Sequence, residues 1–123
     1  MKSTLDLIYT AISAAVEKKG ENIVLLDLQE LFTITDYFLI CSADSDTQIK
    51  AITDEIEKKL LENENIKPWH IEGRNNANWV LLDYVDFVIH IFKKETREYY
   101  ALEKYWGDAP MEVIEDKLSE VKK

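Results

Sequence analysis

Two histidines, His70 and His90, a closely spaced pair of aspartates, Asp83 and Asp86, and a single cysteine, Cys41, are the residues of this 123-residue chain whose types could do chemistry. A Cys-His nucleophile needs the thiol beside the imidazole and a third group to orient the base. Cys41 instead lies inside the apolar run YFLICSA, where a buried structural thiol is expected. His70, His90, Asp83 and Asp86 are of metal-ligand type, but neither His-x-x-x-His nor Cys-x-x-Cys spacing accompanies them. With 3 glycines and neither Gly-x-Gly-x-x-Gly nor a P-loop, no phosphate cradle is visible. No catalytic residue, metal or cofactor is therefore expected.

The stretch NANWVLLDYVDFVIHIF, residues 76 to 92, concentrates most of these residues and suggests another use for them. Read as a hairpin with a two-residue loop at Tyr84 and Val85, it pairs Asp83 with Asp86, Leu81 with Val88 and Trp79 with His90. Alternation then puts Val80, Leu82, Phe87 and Ile89 on one face as core, and Trp79, Leu81, Asp83, Asp86, Val88 and His90 on the other. A tryptophan beside aliphatics and carboxylates suits a docking surface for a basic protein, with Trp79 as energetic anchor and the charges steering encounter. Equally open is that a helix covers this face, with His90 bonded in the interior and the aspartates marking the turn.

The elements that must position this hairpin are legible around it. LDLIYTAISAAVEKKG carries Leu5, Ile8, Ile12 and Val16 at helical spacing, predicting a helix over 3–19 that stops near Gly20. NIVLLDLQ and YFLICSA read as two strands. Ser45 and Gln48 have the spacing of a capping box ahead of the stripe Ile49, Ile52, Ile56 and Leu60, which makes a second helix. KPWHIEG supplies a third short strand, the hairpin two more, and KETREYYALEKYWG a third helix ending at Gly107 with Tyr99, Leu102 and Trp106 along one side. The order α-β-β-α-β-β-β-α predicts an α/β domain with a mixed five-stranded sheet and flanking helices. In the tail, residues 108–123, Met111, Ile114, Leu118 and Val121 predict a further helix, packed on the same unit or on a second copy.

A chain of this length builds one core, so residues 1–107 are read as a single domain. Its 24 acidic and 15 basic residues, a net charge of −9, oppose docking on a phosphate backbone and any sequence-specific reading of nucleic acid. No apolar run approaches the ~20 residues of a membrane span, and no signal pattern opens the chain, so a cytoplasmic protein is expected.

The segments TDYFLICSA, QIKAI, IEG, NWVLLDYVDFVIHIF and REYYALEKYW, in this order and spacing over residues 3 to 107, resemble the ribosomal silencing factor family, also called Iojap-like. The resemblance implies a non-enzyme that binds the large ribosomal subunit through the ribosomal protein numbered fourteen, at the subunit-joining surface. Sitting there, it keeps the subunits apart and lowers translation when nutrients are scarce. It implies that Trp79, Leu81, Asp83, Tyr84, Asp86, His90, Glu72 and Gly73 form the contact, with Thr35, Asp36, Arg97, Tyr100, Leu102, Glu103 and Trp106 completing the motifs. Arg97 and Glu103 are read as structural ion-pair partners. Homodimers are expected, competing for the same face. The family usually has glycine where this chain has Val85 and Ala43, and a β-branched residue disfavours positive φ, so a turn that does not need glycine is expected here. The family fold resembles a nucleotidyltransferase core. The rival reading is thus an enzyme holding a metal and a nucleotide on Asp83 and Asp86, although CSADSD lacks a glycine for close backbone approach.

Overall fold

The computed structural model describes residues 3–31, 35–75, 78–101, 104 and 109–114, without the side chains of 99 and 100. Its first helix, α1 (Thr4–Glu17), starts at a reciprocal cap: Ser3 Oγ accepts from the Asp6 amide and the Asp6 carboxylate accepts from the Ser3 amide, both at 3.2 Å. The helix unwinds through Lys19, at φ 66°, one residue before the glycine expected to stop it. Two strands follow, β1 (Glu21–Asp27) and β2 (Tyr37–Ala43), paired antiparallel.

The second long helix, α2 (Asp46–Glu64), realises half of its expected capping box. Ser45 Oγ accepts from the Gln48 amide, but Gln48 Oε1 takes the Asp44 amide instead, while its Nε2 donates to Lys19 O at 2.8 Å. One glutamine thus closes the α2 start and ties it to the end of α1. Ile49, Ile52, Ile56 and Leu60 are all fully buried against α1 and the sheet. At ~1.5–3 kcal/mol for each fully buried side chain, this stripe alone holds α2 in place.

β3 (His70–Glu72), β4 (Trp79–Asp83) and β5 (Phe87–Lys93) complete the expected strands, and α3 (Lys94–Tyr100) follows β5 directly. The crossover through α2 ends in a parallel pair, as expected of a mixed sheet, but the partner of β2 is β5, and β3 lies at the far edge. The sheet has six strands in the order β3-β4-β5-β2-β1-β6, one more than the sequence predicted. The extra strand, β6 (Met111–Val113), comes from the tail segment expected to be helical. It pairs antiparallel with Val24–Leu26 of β1, and Asp27 N donates to Pro110 O at 2.9 Å. An unpaired β1 edge offers a row of amides and carbonyls that a helix cannot satisfy, and the alternating Met-Glu-Val fits it. Leu118 and Val121 lie outside the described residues. α3 stops at Tyr100 because Ala101 turns left-handed, at φ 45°; Leu102, Glu103 and Trp106, expected on that helix, also lie outside the described residues.

The hairpin register differs from the expected one. Trp79 pairs with Phe92, Leu81 with His90 and Asp83 with Val88, so the loop is centred on Val85 and Asp86. A two-residue displacement leaves every side chain on its expected face, which is why the face assignment survives the wrong register. Asp83 Oδ1 accepts from the Val85 amide at 2.8 Å, and the Asp86 amide donates to Tyr84 O at 2.9 Å across Val85, whose φ is 75°. This is a γ-turn of the rare positive-φ kind, carried by a β-branched residue. The expectation of a turn without positive φ is overturned: the glycine-type conformation is kept, and Val85 bears its strain. Two bonds from the segment before β2 hold the turn in place, Thr35 Oγ1 donating to Val85 O and Asp36 N to Asp86 O, both at 3.0 Å.

Candidate functional site

Both long helices pack on one face of the sheet, over Leu39, Cys41, Val80, Leu82, Ile89 and Ile91. The opposite face is built by the alternate residues: Glu72 and His70 of β3, Trp79, Leu81 and Asp83 of β4, Val88, His90 and Phe92 of β5, and Phe38 and Ile40 of β2. Its centre forms a smaller core of Val24, Leu26, Leu28, Ile40, Phe92 and Ala109. Towards β3 the face opens, with Trp79, Leu81 and Asp83 only half-buried and Glu72 and His70 exposed.

Trp79 is therefore part core and part surface. Its ring stacks on Phe92 at 4.8 Å, and its indole N–H donates to His90 Nδ1 at 3.1 Å. That bond requires the unprotonated nitrogen at Nδ1 and leaves the proton on Nε2. His90 is only 3 % exposed, with Phe38 edge-on at 4.6 Å, and its buried Nε2 finds no hydrogen-bond partner among the described residues. Burial lowers its pKa to about 3, so the ring is neutral near pH 7. Expected among the contact residues, His90 is buried and forms the seat of Trp79.

The other expected contact residues divide similarly. Asp83 is half-exposed but its Oδ1 is used inside the turn, and Asp86 is exposed on the turn. Glu72 Oε1 lies 2.8 Å from His70 Nε2 on the open face. Tyr84 turns the other way: it is buried in the helix-side core, stacked on Phe87 at 5.0 Å, and burial raises its hydroxyl pKa to about 12. Gly73 has a backbone reason to be glycine, because at φ 82° an added Cβ would sit 1.9 Å from Trp79 O. The structure thus gathers Trp79, Leu81, Asp83, Asp86 and Glu72 around one open surface and assigns His90 and Gly73 to its support.

Trp69 and Val85 were not among the residues expected on that face; they border it together with Val88, which was. Trp69 is 75 % exposed, and it lines a groove with Thr35, Asp83, Val85 and Val88. The sequence signal was present: a tryptophan just ahead of a three-residue edge strand has little core to enter.

Cys41, the carboxylates of the ADSD segment and Arg97 have structural roles in this fold. Cys41 is completely buried, and burial pushes its thiol up to about 12, away from the reactive thiolate. The acidic ADSD segment is neutralised by lysines, Lys94 reaching Glu21 at 2.6 Å and Asp44 at 2.7 Å, and Lys93 reaching Asp46 at 2.6 Å. Arg97 donates from Nη1 to Asn22 O at 2.6 Å and to Ser42 Oγ at 2.7 Å, fastening α3 to the sheet, while Glu103, its expected ion-pair partner, lies outside the described residues. Among the described residues, no three His, Cys, Asp or Glu side chains converge as metal ligands, and no helix is long and apolar enough to cross a membrane.

The whole chain, residues 1–123, matches the family model described as ribosomal silencing factor during starvation. It is 41% identical over 117 residues to the ribosomal silencing factor RsfS of Halalkalibacterium halodurans, covering 95% of this chain and 99% of that one. The corresponding protein of Bacillus subtilis is 46% identical over 101 residues, covering 82% of this chain and 85% of its own length. Among solved structures, a Chromobacterium violaceum protein superposes with a TM-score of 0.81 at 29% identity, covering 86% of this chain and 88% of that one.

Proposed function

The chain belongs to the family of ribosomal silencing factors, and from that premise we propose that it binds the large ribosomal subunit and blocks subunit joining by occupying space. In this reading it is a translational repressor without catalysis, acting in the cytoplasm. The contact is a protein one, made with ribosomal protein fourteen of the large subunit. What carries the reading is the open end of the sheet face: with α1 and α2 both on the opposite side, Trp79, Leu81, Asp83 and Glu72 stand half-buried or exposed on a rigid strand platform. Half-buried aromatic and aliphatic groups rimmed by carboxylates suit a partner that presents apolar and basic side chains. A second copy of the chain would occupy the same face, so a homodimer and the ribosome-bound form would exclude one another.

The rival, a nucleotidyltransferase-like enzyme using Asp83 and Asp86, is less well supported. Asp83 Oδ1 already accepts from the Val85 amide, and the lysines beside Asp44 and Asp46 occupy the carboxylates nearest the α2 start. Sedimentation with separated ribosomal subunits tests the choice. A silencing factor travels with the large subunit and leaves the small one bare; an enzyme acting on nucleotides travels with neither.

A further inference from the structure

Trp69 is the most exposed large apolar side chain among the described residues, yet its position is fixed. It directly precedes the three-residue edge strand β3, and its backbone N–H donates to Asp83 O at 2.7 Å, which anchors it to the end of β4. The indole borders a groove whose other walls are Thr35, Asp83, Val85 and Val88. The polar groups within this groove are mostly engaged already: the Thr35 hydroxyl donates to Val85 O and the Val85 amide donates to Asp83 Oδ1. Asp83 Oδ2 makes no hydrogen bond to a described residue. Asp86 and Asp36, joined through the bond from Asp36 N to Asp86 O, are both exposed beside it. Among the described residues no lysine or arginine lines the groove.

An aromatic face, two valines and a rim of carboxylates with no counter-ion among the described residues ask for a flat cation. We propose that this groove receives an arginine side chain of the docking partner, laid against the Trp69 indole and countered by Asp83 and Asp86. The inference rests on the docking reading above and names the side chain which that docking brings. A purely apolar occupant would strip water from the carboxylates and give nothing in return. A lysine would pair with the carboxylates as a point charge, but it lacks the planar fork that stacks on an indole and faces a carboxylate at the same time. The strained turn has a use in this arrangement: the γ-turn at Val85 sets the valine and Asp83 in the groove wall, with Asp86 exposed next to Val85 in the chain.

The test is equilibrium binding of isolated large ribosomal subunits to the parent chain and to Trp69→Phe, Trp69→Leu and Asp86→Asn. Trp69 is three-quarters exposed, so all four proteins should melt alike. Phenylalanine keeps an aromatic face and should cost only a few-fold in affinity, whereas leucine keeps apolar bulk without that face and should lose about tenfold or more. Asp86→Asn should weaken binding and flatten its dependence on salt. Leucine binding as well as phenylalanine, or as well as the parent, would overturn the arginine groove while leaving the docking reading intact. A parent chain that fails to bind large subunits at all overturns the docking reading, and the groove with it.

Discussion

Replacing Trp79 by phenylalanine removes the indole donor and keeps an aromatic ring. The ring can still stack on Phe92, but His90 Nδ1 loses the indole N–H that lies 3.1 Å away. At this site the imidazole is 3 % exposed, so the lost bond leaves Nδ1 shielded from bulk water. Leaving a buried acceptor unsatisfied costs ~1–3 kcal/mol. For a chain of this length 1 kcal/mol moves the melting temperature by roughly 3–6 °C, so Trp79→Phe should melt at least ~3 °C early. The bond itself is isolated by a double-mutant cycle with His90→Leu: once the acceptor is gone, removing the donor should cost almost nothing. Thermal and urea unfolding followed by circular dichroism measure all four corners. Equal losses from Trp79→Phe in the parent and in the His90→Leu background would refute the hydrogen-bonded seat and reduce Trp79 to a packing residue. The sequence had cast Trp79 as the energetic anchor of a docking face; half-burial on Phe92 and His90 gives it a structural task as well.

Acid should act through the same histidine. Because burial holds the folded His90 at about 3 against an ordinary value of 6.5, the unfolded chain takes up a proton first, and stability falls as pH drops from 6.5 towards 3, by up to about 1.4 kcal/mol per pH unit. His90→Leu should flatten that slope in urea titrations, and an unchanged slope would assign acid sensitivity to the carboxylates. Gly73→Ala sets a Cβ 1.9 Å from Trp79 O at φ 82°, so it should destabilise the fold by more than ~3 kcal/mol or prevent it; a soluble variant with parental melting would contradict the turn geometry. Val85→Gly should do the reverse of most substitutions to glycine. Relief of ~1–3 kcal/mol of strain at φ 75° outweighs the ~0.4–1 kcal/mol of added chain entropy, and with 55 % of Val85 exposed little packing is lost. A rise of a few degrees in melting temperature is expected, and a fall would show that Val85 is unstrained.

Local pattern carried much of this molecule. The stripe of Ile49, Ile52, Ile56 and Leu60 marked α2, the apolar runs marked β1 and β2, and alternation sorted Trp79 from Val80 correctly even though the register was displaced. What escaped was decided by partners distant in sequence. Nothing local to Met111–Val113 distinguishes a strand from a helix start; the unpaired edge of β1 makes the choice. Nothing local to Val85 announces positive φ, which is held by Thr35 and Asp36 some fifty residues earlier. At the candidate site, residue type named the surface but not its depth. Tyr84 and His90 sit in one hairpin with Trp79, and only the packing of Phe87, Phe38 and Phe92 shows that both are buried. Trp69 went unused in the sequence because it flanks a strand too short to show a face.

Subunit joining tests the proposed repression most directly. Large subunits are mixed with an excess of the chain, small subunits are added, and the joined particle is measured by light scattering and on a sucrose gradient. A silencing factor that occupies the joining surface keeps the subunits apart, comigrates with the free large subunit, and loses both effects together when its docking face is altered. Full joining in the presence of saturating, comigrating chain would contradict the account, because the chain would then be bound at a place that the small subunit does not need.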